Sequence, residues 1–424
     1  MIVPASFDVI IVGAGPAGST LSILLARAGW SVALVEKARF PRRKVCGECV
    51  AASNLPLLEA LGIGQAIATE SGPELQRMAL MCGAHISIAE LPAAAHEKYA
   101  WGRAMSREIL DSALLEAACA TGVYVLQPSA VQAIDGSIGA WRVDTRNMDT
   151  GTRQTLSAPI AVAAHGSWEV LPAERPVRRR QHRPSDLLAF KANFCDSALA
   201  AGLLPVLSFK GGYGGMVVAG SGITTLACCI RRDRLEACRR INPGACAGDV
   251  VELMLRRECL GVRAALDGAR RVGPWLAAGP IDPGIRLRAD NSIFRIGNAA
   301  GEAHPIIGEG MSMAIQSAWL LYGLLADDRP GLLANVAWQR KVANSYAAEW
   351  RHHFAQRLRI AAAFAHVAMQ PSTATLLIAL ARRWPGLLTT GARVGGKTRS
   401  AADPLLVDAL AHRTQQTVMH SSIV

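Results

Sequence analysis

Residues 7–36 read FDVIIVGAGPAGSTLSILLARAGWSVALVE. Asp8 to Val12 form an apolar strand, Gly13, Gly15 and Gly18 stand at G-x-G-x-x-G spacing, Ser19 to Ala28 continue as a helix closed by Gly29, and a second strand ends on Glu36. Each glycine has a physical task. Gly13 permits a tight turn, Gly15 lets the backbone approach a pyrophosphate, and Gly18 lets helix and strand pack closely. Pro16 and Ala17 belong to the same loop, at a helix N-terminus that faces phosphate charge. Glu36 can accept hydrogen bonds from a ribose, and Lys37 follows it. A lone glycine pattern is an ordinary turn, but here the flanking strand, helix and acid are all present. The segment predicts a dinucleotide-binding unit.

Composition bounds the rest. A chain of 424 residues with 51% hydrophobic content suits two or three interleaved domains with sizeable cores. No basic, apolar leader precedes the first strand, so a cytoplasmic protein is expected, with peripheral membrane association left open. Ala361 to Leu380, the most apolar late stretch, contains His366, Gln370 and Pro371 and is a poor membrane span. Ten cysteines without a framework read as reduced core or site residues. Cys46 and Cys49 form one C-x-x-C with no second pair at zinc spacing, so no metal is expected. The net charge of +12 is mostly arginine, clustered at Arg178 to Arg180 with Arg183, at Arg231, Arg232 and Arg234, and at Arg239 and Arg240. Such runs are usually solvated faces. Aromatics are 5% and do not interleave with them, which disfavours nucleic acid. An acidic carrier protein, a CoA-like substrate or an anionic membrane surface stays open as a partner.

Two further segments define a resemblance. Arg39 to Cys49 reads RFPRRKVCGEC, and Ser292 to Leu320 reads SIFRIGNAAGEAHPIIGEGMSMAIQSAWL. The second has an apolar strand over Ile293 to Ile296, a turn at Gly297, and Pro305, Gly308 and Gly310 before a helix from Met311. F-P-R-x-K-x-C-G-E resembles the segment after the ribose-binding acid in flavoproteins of the geranylgeranyl reductase type. These belong to the wider group of FAD-dependent monooxygenases built like para-hydroxybenzoate hydroxylase. The resemblance implies that Arg42, Arg43 or Lys44 approaches the FAD phosphates or ribose, and that Cys46 lies near the flavin. The late segment resembles the group's G-D-A-A-G-x-x-x-P-x-x-G-x-G, which holds the ribityl chain and ring. Free N–H groups near Gly310 and Met311 would then point at the N1 and C2 carbonyl end of the flavin, favouring its reduced form. Asn298 departs from the group's aspartate and implies retuned rather than lost binding.

Ser106 to Ala118 resembles the helix whose arginine, here Arg107, reaches the cofactor, although Arg107 and Asp111 would equally suit a plain amphipathic helix. Ile160 to Trp168 ends where related hydroxylases have A-D-G, with His165 in place of the aspartate linked to nicotinamide use. No second G-x-G-x-x-G follows a strand. NADH or NADPH is therefore expected to bind transiently, unless a partner reductase or ferredoxin supplies electrons. Leu187 to Phe194, Val206 to Lys210, Gly214 to Ala219 and Gly222 to Ile230 read as strands of an antiparallel sheet, and Asp233 to Arg257 as helix. Leu75 to Trp101 is expected to cross into the same sheet. Within GGYGG at Gly211 to Gly215, Tyr213 matches the Tyr-x-Trp-x-Phe-Pro segment of geranylgeranyl reductases and its neighbours do not; a hairpin turn is the commoner meaning. From Asp327 the chain reads as helical, with a break at Pro330 and Gly331, and its last twenty-odd residues as mobile.

The expected architecture is α/β: a discontinuous Rossmann-like FAD-binding domain (1–182 and 289–345), an inserted mixed or antiparallel substrate sheet (183–288) and a helical C-terminal region (346–424). The expected activity is that of an FAD-dependent oxidoreductase. By resemblance it is a monooxygenase that uses O2, through a flavin C4a-hydroperoxide, on a small apolar or aromatic metabolite of a biosynthetic pathway. The rival is a reductase or dehydrogenase acting on a carbon–carbon bond. A flavin-dependent halogenase comes third, because its W-x-W-x-I-P segment is missing. A non-catalytic flavin-binding protein is suggested by His165 and Asn298. His304 and Glu309, in the loop expected to border the flavin, are candidate acids or bases, against plain readings as a backbone-bonded histidine and a solvated glutamate.

Overall fold

The computed structural model of the protein describes residues 6–167, 182–287, 292–326, 333–384, 386–394, 400–402, 406–407 and 410. Three expectations lie outside the described residues: the Arg178 to Arg180 cluster, the break at Pro330 and Gly331, and the mobile C-terminal stretch.

A five-stranded sheet carries the opening motif, in the order Phe294–Arg295, Ile160–Ala163, Val9–Val12, Val32–Val35, Tyr124–Leu126, and every pair in it is parallel. Its three central strands are buried at every position, as an apolar run covered on both faces requires. Alternate residues divide between the covers. Val9 and Ile11 pack with the helices Pro16–Arg27, Arg107–Ala120 and Gly310–Ala326, whereas Ile10 and Val12 pack with Ile134, Trp141, Val143 and Leu156. The latter come from a three-stranded antiparallel sheet, Ser129–Ser137, Ala140–Asn147 and Arg153–Ala158. Sequence reading did not resolve this sheet, because its strands mix exposed polar and buried apolar residues at short spacing. The Arg107–Ala120 helix starts at Ser106, whose hydroxyl accepts the Ile109 N–H at 3.2 Å.

The second sheet has seven strands, in the order Arg270–Ala278, Leu187–Cys195, Thr224–Arg231, Gly212–Val218, Leu203–Phe209, Arg77–Cys82, His85–Glu90. The early segment crosses into it: Arg77–Cys82 pairs in parallel with Leu203–Phe209, so the sheet is mixed. Tyr213 sits in a strand rather than a hairpin turn; the turn is at Lys210 and Gly211, where φ is +74°. The expected helix over 233–257 is two, Arg232–Ile241 and Ala247–Glu258. Pro243 has no N–H to continue the ladder and Gly244 takes φ +82°, so the chain breaks between them. These helices cover one face of the sheet through Val250, Met254 and Leu255.

The C-terminal region contains a 33-residue helix, Val336–Ala368, whose Trp338, Val342, Tyr346, Trp350 and Phe354 fall at intervals of four and pack onto the first core. At Pro371 the chain turns by 105° into the helix Pro371–Arg383. Gln370, preceding proline, is extended there. Among the described residues no single helix is long and apolar enough to cross a membrane.

One buried ion pair joins the two halves. Lys191, in the second sheet, meets the Glu48 carboxylate, which also accepts the Thr225 hydroxyl at 2.5 Å and the Arg107 backbone N–H at 3.1 Å. Both side chains are 1% exposed. Removing one partner leaves a desolvated charge, so Lys191→Met is expected to cost about 3–5 kcal/mol of stability. Adding Glu48→Gln recovers part of it, and urea unfolding of the single and double variants measures both changes.

Candidate functional site

A cavity of about 630 Å³ begins at the C-terminal ends of the parallel strands and continues between them and the second sheet. Its first wall is the opening loop. The Gly13 N–H donates to the Val35 carbonyl at 2.7 Å, and with φ at +106° a Cβ on Gly13 would lie 2.5 Å from the Ala164 carbonyl oxygen. A Cβ on Gly18 would lie 1.8 Å from the Gly13 carbonyl oxygen. The protein itself therefore requires both glycines. Gly15 differs: the atom nearest to its missing Cβ is Arg107 Nη2 at 3.7 Å, and the residue lines the cavity. Packing would admit a side chain there, whereas a ligand backed against the helix N-terminus would not. Pro16 and Ala17 line the cavity at the same end, with no side chain capping the helix.

Glu36 is held by the loop it faces. Its carboxylate accepts the Ala14 N–H at 2.9 Å, the Ala38 N–H at 2.8 Å and Arg42 Nη1 at 3.1 Å, and it still lines the cavity beside Lys37. Arg42, Lys44 and Arg107 bring three cations to this end. Arg107 forms a fork with Asp111, both contacts at 2.7 Å. Burial alone would pull the Arg107 pKa down, but Asp111 and Cys46 hold it above the ordinary arginine value. Burial, and next the neighbouring Arg107 and Arg42, push Lys44 down to about 8. Arg43, expected at the phosphates, turns the other way: Nη2 donates to the Val272 carbonyl at 3.3 Å and Nε lies 3.7 Å from Glu108. Arg42 and Lys44 line the cavity, whereas Arg43 does not. Cys46 lines the cavity, and its Sγ accepts the Glu48 N–H at 3.4 Å.

The late motif forms the facing wall. Gly297, Asn298, Pro305, Gly308, Gly310 and Met311 all line the cavity, with Gly297 and Gly308 at φ of +60° and +63°. A Cβ on Gly310, first residue of its helix, would meet nothing within 4 Å. Asn298 has a local reason to be an amide. Ser167 donates to Glu302 at 2.9 Å, and the Asn298 Nδ2 donates to Ser167 at 2.8 Å, which an aspartate could not do. His165 lines the cavity next to Ser167.

The two acid–base candidates stand elsewhere. Glu309 is fully buried rather than solvated and is not among the cavity-lining residues. His304 lies behind the wall, its Nδ1 2.9 Å from the Tyr213 hydroxyl. Burial, and next His366, bring its pKa down to about 4, so it is neutral at pH 7 and holds no proton to deliver as an acid. Tyr213 reaches the cavity instead. Burial, with Cys229 beside it, keeps its phenol protonated, and burial pushes the Cys229 thiol up to about 12. Sequence reading also passed over Glu48 and Lys191. The signal for Glu48 was present as the last residue of the quoted C-G-E, but Lys191 comes from a strand 143 residues away.

The same cavity is lined as an apolar chamber by Met78, Leu80 and Val206 of the second sheet and by Phe364, Val367 and Leu377 of the C-terminal helices.

Known proteins share this fold. The menaquinone reductase of Mycolicibacterium smegmatis is 28% identical over 406 residues, 92% of this chain and 91% of that protein. Another curated relative, from Dictyostelium discoideum, is matched over only 62% of its length. Among solved structures, the myxobacterial chondrochloren halogenase CndH superposes with a TM-score of 0.68 at 20% identity, covering 96% of each chain. PqsL of Pseudomonas aeruginosa, described as a probable FAD-dependent monooxygenase, superposes with a TM-score of 0.64 at 19% identity over 87% of this chain and 98% of that one. At these identities the structures speak for the fold. The FAD binding domain family matches residues 6–234, more than half the chain and the whole first wall of the cavity, so this protein belongs to that family and is an FAD-dependent oxidoreductase.

Proposed function

We propose that the protein is an FAD-dependent monooxygenase acting on an apolar substrate that carries a ring or other polar head. The observation that carries this reading is the continuity of the cavity from the glycine loops into a chamber walled by apolar side chains. Bound FAD supplies the redox chemistry and the activation of O2; the chain supplies position, charge and dryness. Gly13, Gly15 and the N-terminus of the Pro16–Arg27 helix would hold the diphosphate, Lys44, Arg42 and Arg107 would supply its counter-charge, and Glu36 would accept from the adenosine ribose. Asn298 would hydrogen-bond the ribityl chain, and the N–H groups of Gly310 and Met311 would stabilise the negative charge of the reduced ring. Tyr213, held by His304, offers its hydroxyl to the polar head of the substrate while the apolar body fills the chamber and excludes water. NADH or NADPH, bound transiently, is the proposed electron donor, in keeping with a sequence that has one dinucleotide loop. A second reading, reduction of a carbon–carbon or quinone system, is favoured by the menaquinone reductase relative, which aligns along nearly the whole chain.

Oxygen uptake separates the two. The protein is reduced anaerobically by NADH or NADPH, then mixed with oxygen and candidate apolar phenols or quinones. The monooxygenase reading expects one O2 consumed per product, whereas product without oxygen uptake overturns it in favour of the reductase. Tyr213→Phe should lower kcat/KM about tenfold, the worth of one buried hydrogen bond, with flavin content unchanged. Gly15→Ala should leave the apoprotein as stable as the parent yet weaken FAD binding by at least about tenfold, a loss of some 1.4 kcal/mol; Gly18→Ala should fail to fold. Apoprotein titrations with FAD should also show a pH dependence. A diphosphate beside Lys44 raises its pKa above the free value of about 8, so binding takes up a proton above that pH. Affinity is therefore full below pH 8 and falls as pH rises beyond it, and Lys44→Met should flatten the profile.

A further inference from the structure

The helix Pro371–Arg383 is apolar on two sides. Ala374, Ile378 and Ala381 are buried against Leu80 and Ala89 of the second sheet. On the outer side Leu376, Leu380 and Trp384 recur at intervals of four, and Leu387 continues the stripe; these are 62%, 39%, 55% and 47% exposed. A stripe of large apolar side chains facing water marks a contact surface rather than a solvated helix face. Its charge is one-sided. From Trp350 to Ala402 the chain has eight Lys or Arg residues and no Asp or Glu. Arg382, Arg383 and Arg393 are exposed beside the stripe, with the Arg383 guanidinium 5.9 Å from the centre of the Trp384 ring. Leu387 also lines the cavity, as do Leu388 and Gly391, so the apolar chamber ends at this surface.

We propose that this face docks on an anionic lipid bilayer, with the Pro371–Arg383 helix lying in the interface and the chamber opening toward the acyl chains. A helix of 13 residues spans about 20 Å at 1.5 Å per residue, short of the roughly 30 Å hydrocarbon core. It therefore lies on the membrane and does not cross it. Leucines enter the headgroup boundary, tryptophan takes its usual interfacial place, and arginines meet lipid phosphates. Docking explains why a helix already anchored on its inner side keeps leucine and tryptophan on its outer side. Entry of a membrane-dissolved substrate at Leu387 rests on the apolar-substrate reading above; docking itself does not.

The test is sedimentation of the FAD-loaded full chain with vesicles of phosphatidylcholine alone and of phosphatidylcholine mixed with phosphatidylglycerol. Binding to the mixed vesicles that weakens with salt is expected. Arg382→Gln with Arg383→Gln should reduce it at least about tenfold, since each surface cation contributes about a factor of five. Leu376→Glu with Leu380→Glu should abolish it while flavin absorbance and thermal unfolding stay at parental values, as both residues face outward. No binding to the mixed vesicles overturns docking, as does equal binding by these variants. A parent that is dimeric in solution and becomes monomeric as Leu376→Glu with Leu380→Glu assigns the face to a second copy and overturns it too, as does capture by an acidic carrier protein in place of vesicles. If docking holds but apolar substrates turn over equally from detergent and from vesicles, only entry from the bilayer fails, and the oxygen-uptake test stands apart from either result.

Discussion

The structure is organised by a distance of closest approach. The turn after the first strand passes so near the end of Ile160–Ala163 that no side chain fits at Gly13, and the helix behind it rests so near Gly13 that none fits at Gly18. With those contacts fixed, the Pro16–Arg27 helix must begin at the sheet's C-terminal edge, with its unbonded N–H groups directed at the cavity. Everything charged around the site answers to that: the carboxylate of Glu36 ties the loop from one side, and the cations of Arg42, Lys44 and Arg107 stand on the other. A polar cofactor head can lie against backbone there because backbone is all that the loop presents.

The charges also show how a buried site manages like-signed groups. Asp111 neutralises Arg107 through a two-point fork, Glu36 takes Arg42, and Lys44 is left to lose affinity for its proton. At the junction with the second sheet, Glu48 binds a lysine, a hydroxyl and a helix N–H together. Such a carboxylate serves geometry more than stability, since an apolar pair of the same volume would cost less to bury. It fixes the Arg107 helix against the sheet that carries Tyr213, and so fixes the glycine-loop end of the cavity relative to its apolar end.

The dinucleotide unit and the late glycine segment were legible because their chemistry is local: each glycine, helix start and terminal acid lies within thirty residues of its partners. The second sheet was legible in outline from alternating strands, and the early crossing strand from its position in the related group. Arg43 was misplaced because a run of basic residues does not declare which of them faces inward. His304 and Glu309 do not line the cavity, because membership of the loop before the Gly310–Ala326 helix does not decide which side of it a side chain leaves from. Lys191, Cys229 and the apolar outer stripe of the Pro371–Arg383 helix had no local signature, since their meaning comes from elements folded against them from far along the chain. The sheet over 129–158 was lost because its alternation is imperfect and interrupted by a bulge near Val131.

The edge strand Phe294–Arg295 completes a parallel sheet that began at Val9, and Arg77–Cys82 and His85–Glu90 belong to a sheet whose other five strands begin at Leu187 or later. Neither half is a contiguous piece of chain. During synthesis at roughly 5–20 residues per second, Ile160–Ala163 waits on the order of ten seconds for its outer neighbour Phe294–Arg295. In that interval an apolar strand edge lies open, a state in which pairing with another chain competes with pairing at home. The interleaving that places one cavity between two sheets thus makes folding a late, all-together event, and early strands must be sheltered until Phe294–Arg295 has been made.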